Sequence, residues 1–203
     1  RVVAAGVPGA LVLIRAHGDT VRVAAGVSDR ATGTPLRVTD RFRIGSVTKT
    51  MVATVVLQLV DERVLSLGDT VDRWLPGLVP GGRRITIRRL LNMTAGLSDY
   101  TDDARLLAPV LAGDFAHHWQ PRELVALGTS HPVRFRPGAR WAYCNSCYVL
   151  LGLVVERATH HAIDDELASR VFRPLGMRGT SFGTGRWIHG AHAHGYVRDG
   201  KAL

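Results

Sequence analysis

Lysine is nearly absent from this sequence: its 203 residues include 24 arginines but only two lysines, Lys49 and Lys201. Arginine cannot give up its proton in a protein, whereas a lysine held in a poorly hydrated place can be driven neutral and act as a base. Lys49 is therefore worth following as a base rather than as a surface charge. Cysteine is scarce too, with Cys144 and Cys147 only. Two cysteines exclude a disulfide scaffold, and Cys-x-x-Cys without a second pair does not make a zinc site. No thioredoxin-like strand precedes the pair, so the expectation is two small, buried or half-buried thiols. No apolar run reaches the 18 or so residues of a membrane span. The start, Arg1-Val2-Val3-Ala4-Ala5-Gly6, has neither an initiator methionine nor the apolar core of a signal peptide, and reads as trimmed. The net charge is +9, but the arginines are scattered and aromatics make up only 6% of residues. The densest cluster, Arg83-Arg84 with Arg88-Arg89, is short, so no nucleic-acid partner is expected. A hydrophobic fraction of 46% with 21% charged residues describes a globular chain able to bury a substantial core.

What is present is organised around Phe42-Arg43-Ile44-Gly45-Ser46-Val47-Thr48-Lys49. With eight serines and two lysines, chance supplies roughly 0.08 Ser-x-x-Lys tetrapeptides. If a helix begins near Ser46, the hydroxyl and the amine share one face of its first turn. The following run, Thr50-Met51-Val52-Ala53-Thr54-Val55-Val56-Leu57-Gln58-Leu59-Val60, is apolar almost all round and predicts a helix buried on every side, with the amine poorly hydrated. Ser46 would then stand at a helix start, where unpaired N–H groups favour developing negative charge.

Upstream, Ala10-Leu11-Val12-Leu13-Ile14-Arg15 and Val21-Arg22-Val23-Ala24-Ala25-Gly26 form a predicted hairpin around turn residues 16–20. Residues 29–40 read as loop. Downstream, Asp69 or Thr70 caps a short helix reaching Trp74, and Thr86 caps another that stops near Gly96. A mildly apolar helix is expected over 104–112, and one opening at Pro121 runs to about Leu127. Asn145 or Ser146 caps an apolar helix over 149–158, and a further helix spans 164–172, ended by Pro174 and Gly176. The Gly- and His-rich tail gives no element. This is an α+β arrangement, with hairpin and Ser46 helix in 1–60, a mainly helical region in 61–180 and an irregular tail in 181–203, one domain that the resemblance drawn below implies is incomplete.

Tyr143 and Asn145 precede a helix, and in extended chain residues two apart point to one side. A phenol beside a lysine can pass a proton between nucleophile and leaving group, and an amide can hydrogen-bond a substrate amide. With these residues in view, the sequence resembles the penicillin-binding serine hydrolases, which include class C β-lactamases, bacterial DD-peptidases and related esterases. The likeness is carried by residues 42–49, by Ile85-Thr86-Ile87-Arg88-Arg89-Leu90-Leu91-Asn92-Met93-Thr94-Ala95-Gly96-Leu97, by Pro137-Gly138 through Tyr143-Cys144-Asn145 with Leu151-Gly152 and Glu156, and by Val171-Phe172-Arg173-Pro174-Leu175-Gly176-Met177. It is nearest to the DD-carboxypeptidase branch.

The resemblance implies a β-lactamase/DD-peptidase-like fold, an antiparallel sheet with flanking helices and a helical subdomain. It implies that Ser46 forms an acyl-enzyme, that Lys49 and Tyr143 handle the proton, and that Asn145 binds the substrate's amide. The backbone N–H of Ser46 would form half of an oxyanion hole. It implies no metal or cofactor, a small-molecule or peptidoglycan-peptide substrate, and a secreted or cell-envelope location. An esterase or amidase, or an inactive peptidoglycan- or partner-binding relative, would share these residues.

The family's third motif, His-x-Gly or Lys-Thr-Gly, belongs well beyond Asn145 and is not reached by Leu203. Phe182-Gly183-Thr184-Gly185 and His192-Ala193-His194-Gly195 lie too early and read as loop features, and Met93 stands where relatives often carry His. The sheet would need a missing C-terminal segment or a second chain to complete it, and residues 1–203 alone are expected to have low activity. Lys49→Arg is expected to abolish acylation of Ser46 by a penicillin, read as loss of the mass adduct, although the charge is kept. Normal acylation by that variant would place the base elsewhere.

Overall fold

The computed structural model describes residues 1–114, 116–183, 185 and 187–196. They form two compact units, one of Arg1–Gly45 with the described residues from Gly183 onward, the other of Ser46–Phe182. The division falls at Gly45, so the helix after Ser46 belongs with the helical region rather than with the hairpin.

The first unit is built on an antiparallel sheet in the order β1-β2-β3, with β1 at Gly9–Ala16, β2 at Asp19–Asp29 and β3 at Thr34–Pro35. Left-handed His17 (φ 51°) and Gly18 (φ 90°) make the tight turn that the pattern of residues 16–20 predicted. Register places Val12 opposite Val23 and Ile14 opposite Val21. Directly paired residues share a face, so these four form one apolar patch, and each is about half exposed. The tail adds a single bridge, Arg41 to His192, and the His194 N–H donates to the Ser28 carbonyl. The two histidine rings stack at 5.4 Å, and Arg41 donates to the His189 carbonyl. The His192–Gly195 stretch therefore lies within the hairpin unit. Thr184 of Phe182-Gly183-Thr184-Gly185 lies outside the described residues.

The second unit holds α1 (Thr48–Asp61), α2 (Val71–Trp74), α3 (Ile87–Leu91), α4 (Ala108–Leu111), α5 (Pro121–Thr129), α6 (Asn145–Thr159) and α7 (Ile163–Leu167), which runs on through a π-helical turn at Ala168–Phe172. Helix α6 is its hub and packs against α1, α2, α3, α5 and α7. Val52, Val55, Val56 and Leu59 of α1, Ile87 and Leu90 of α3, and Leu150, Leu151, Val154 and Val155 of α6 make the core, closed by Leu167, Val171 and Phe172. Thr70 and Thr86 cap α2 and α3 as expected, each accepting from the N–H three residues on. Among the described residues no helix is long and apolar enough to cross a membrane.

Four expectations need correction. Helix α1 is not buried all round: its 52-55-56-59 stripe faces the core, while Thr50, Thr54 and Asp61 are exposed and Leu57 is 50% exposed. A single stripe suffices because α6 and α7 pack on one side only. Helix α3 ends at Leu91 rather than near Gly96, because the next backbone groups serve another strand of chain. The carbonyls of Met93, Thr94 and Gly96 accept from Ala142, Gly138 and Arg134, which leads residues 134–142 past this segment towards Tyr143. The cap of α6 is Cys144 rather than Asn145 or Ser146. Finally, Cys144 and Cys147 are buried but form a disulfide rather than two thiols. As N-cap and third residue of α6 their Cα atoms lie 5.3 Å apart, within bridging range.

Gly96 has φ 77°, and a Cβ there would lie 2.1 Å from the Phe135 carbonyl oxygen. Gly77 has a similar φ of 73° with open space around it. In urea denaturation Gly77→Ala should lose about 1 kcal/mol, the left-handed strain alone, and Gly96→Ala at least about twice that, since a backbone oxygen must also move. Equal losses would show that the approach of Phe135 does not constrain the fold.

Candidate active site

Ser46 sits in a 3-10 turn, Gly45–Val47, that feeds directly into α1, and left-handed Gly45 (φ 53°) sets the entry. Lys49 lies in the first turn of α1, so helical spacing alone brings its Nζ to 3.0 Å from Ser46 Oγ. Ser46 is exposed and Lys49 half-buried, so the amine is less shielded than the composition of α1 led one to expect.

Tyr143 and Asn145 arrive from the start of α6, nearly a hundred residues later. The Tyr143 hydroxyl donates to Ser46 Oγ at 2.5 Å, and Lys49 Nζ donates to Asn145 Oδ1 at 2.7 Å. The same ammonium lies 4.9 Å from the Tyr143 ring centroid and 5.7 Å from that of Tyr148. All four predicted residues are thus brought together, although only Cys144 between the pair is extended and Asn145 already belongs to the helix. Of three phenols here, only Tyr143 is held below its usual range, chiefly by the Lys49 ammonium and then by the bond to Ser46. Burial raises those of Tyr148 and Tyr100. Both groups donate to Ser46 Oγ, and each becomes an acceptor for the serine proton once it has given up its own.

Sequence reasoning gave Asp99 no role. It is only 3% exposed, and its Oδ2 accepts from the Asn145 backbone N–H at 2.7 Å and from Asn145 Nδ2 at 3.0 Å. The Asp99-x-Thr101 turn signal was the available clue. Buried Ser146 was also missed beyond its capping role. Its Oγ donates to the Ser98 carbonyl at 2.9 Å and accepts from the Tyr100 N–H at 3.0 Å, clamping residues 98–100 to the start of α6.

The chain belongs to the Beta-lactamase family, which it matches over residues 1–203. It is 36% identical over 188 residues to esterase EstB of Burkholderia gladioli, a match covering 86% of this chain and 47% of that protein. It is 35% identical over 176 residues to penicillin-binding protein 4 of Amycolatopsis lactamdurans, covering 84% and 44%. Among solved structures, the D-stereospecific amidohydrolase from Streptomyces sp. superposes with a TM-score of 0.79 at 40% identity, covering 87% of this chain and 52% of that one. The chain spans about half the length of these relatives. Its fold is accordingly the α+β one of β-lactamases and penicillin-binding proteins, of which these residues form part.

Because Lys49 is the first cause of the lowered Tyr143 phenol, Lys49→Ala should move its titration upward, toward the ordinary value of about 10. The ultraviolet difference between each protein and its Tyr143→Phe counterpart isolates this phenol from the other three tyrosines. An unmoved midpoint would show that the ammonium does not act on it.

Proposed function

We propose that this chain carries the nucleophile side of a serine hydrolase that forms an acyl-enzyme on Ser46, of the D-alanyl-D-alanine carboxypeptidase and β-lactamase type. The observation that carries the reading is the convergence of the Lys49 amine and the Tyr143 hydroxyl on the one oxygen of Ser46. As Ser46 Oγ attacks a carbonyl carbon, its proton passes to Tyr143 as phenolate, or to Lys49 as neutral amine and on through Tyr143, and the new C–O bond leaves an oxyanion facing the Ser46 backbone N–H. The oxyanion collapses, the bond to the leaving nitrogen breaks, and Tyr143 returns the proton to that nitrogen. Water then attacks the ester, with the same pair removing its proton, and frees Ser46.

Asn145 has a defined share in this. Its Oδ1 is occupied by Lys49 and one Nδ2 hydrogen by Asp99, which leaves the second Nδ2 hydrogen for a substrate carbonyl. A secreted or cell-envelope setting is supported by the Cys144–Cys147 bond, which persists in oxidising compartments. The exposed patch of Val12, Ile14, Val21 and Val23 supports a sheet that a further segment or a second chain completes. A second reading, an esterase or amidase using the same residues, is favoured by the names of EstB and the Streptomyces amidohydrolase.

Mass spectrometry of the full-length protein after incubation with benzylpenicillin should show one adduct on Ser46 that Ser46→Ala lacks. Residues 1–203 alone should acylate far more slowly. No adduct, together with Ser46-dependent hydrolysis of p-nitrophenyl esters or D-amino acid amides, would establish the second reading. Inertness toward all of them would leave a binding relative.

A further inference from the structure

Asn145 is useful to the reaction only if its amide faces the right way, and an amide's two ends are nearly equal in shape. In the observed orientation Oδ1 accepts from Lys49 Nζ and Nδ2 donates to Asp99 Oδ2. Reversed, Nδ2 would confront an ammonium and Oδ1 a carboxylate, so both contacts would fail together. Lys49 cannot impose the choice alone, since its flexible stem can turn the ammonium to other acceptors. Asp99 can, because it is held at both ends. Its Oδ1 accepts from the Thr101 N–H at 3.1 Å and from Thr101 Oγ1 at 3.0 Å, while Oδ2 takes the backbone and the side chain of Asn145.

We propose that Asp99 is a positioning residue that selects the rotation state of the Asn145 amide and, through it, the place of the Lys49 amine beside Ser46. This deepens the serine-hydrolase reading and rests on it for its effect on rate. The surroundings are built to hold the carboxylate there. The Ser146 clamp fixes residues 98–100 against α6, and Gly128 of α5 leaves the room: a Cβ at 128 would lie 2.5 Å from Ser146 Oγ and 2.9 Å from the Ser98 carbonyl oxygen. An amide at position 99 would lose the selection. It would have to oppose a donor either to Thr101 or to Asn145, and in the second case it would turn Asn145 over.

Two measurements on the full-length protein test this. In NMR, one of the two Asn145 Nδ2 protons should exchange at least about tenfold more slowly than those of exposed Asn92, and Asp99→Asn should abolish the difference. A role limited to capping the backbone N–H of Asn145 would leave that side-chain signal unmoved. In acylation by benzylpenicillin, Asp99→Asn should cost about 10–100-fold with Asn145 present and under about threefold in an Asn145→Ala background, because it acts through that amide. Fast exchange of both protons, or effects that multiply fully in the double variant, would overturn the proposal. Should Asp99→Asn fail to fold, Thr101→Val, which removes one anchor of Oδ1, carries the same cycle with a smaller loss expected, about threefold. A parent protein that forms no Ser46 adduct with benzylpenicillin would refute the carboxypeptidase and β-lactamase reading, and the NMR comparison would still decide what orients Asn145.

Discussion

The hydrogen bond from Lys49 to Asn145 joins two helix starts that lie 96 residues apart in sequence, and the candidate site exists only while those starts stay in register. Neither side chain can guarantee that by itself. The register is kept by the packing of α1 on α6, where Val52, Val55, Val56 and Leu59 meet Leu150, Leu151, Val154 and Val155 in a core almost closed to water. Close-packed interiors transmit small displacements rather than absorb them. A change deep in that seam therefore acts on the distance between Ser46 and Tyr143 without touching either residue.

Within this frame the chemistry is a chain of groups, each oriented by the next: Tyr143 and Lys49 on Ser46, Asn145 on Lys49, Asp99 on Asn145, and Thr101 on Asp99. Exposure falls along the chain from the open serine to the buried carboxylate. Such a gradient suits a site that must admit a substrate at one end and hold its geometry from the other.

What was legible in the sequence follows from the range of each interaction. Ser46 and Lys49 are three residues apart, so helical spacing alone pairs them, and the hairpin and the Thr70 and Thr86 caps are local in the same way. Tyr143 and Asn145 became legible through the family likeness, because no local rule links them to residue 46. Asp99 was illegible: its partner lies 46 residues downstream, and no local rule links the two. Helix α3 ended early for a related reason, its would-be last turn having been taken over by contacts with residues 134–142. The apolar run of α1 said how much could be buried there but not which side would be, since that depends on where α6 and α7 arrive.

The covalent tie between Cys144 and Cys147 brackets Asn145 and begins one residue after Tyr143. Helix ends ordinarily fray, opening and closing their first turn far more often than their middle. Here the first turn of α6 is the part on which the candidate chemistry depends, and the bridge closes that same turn on itself. Fraying is thereby restrained at the N-terminus of α6, where it would blur the positions of the phenol and the amide, while the tie does not reach the C-terminal end at Thr159, which carries no part of the site.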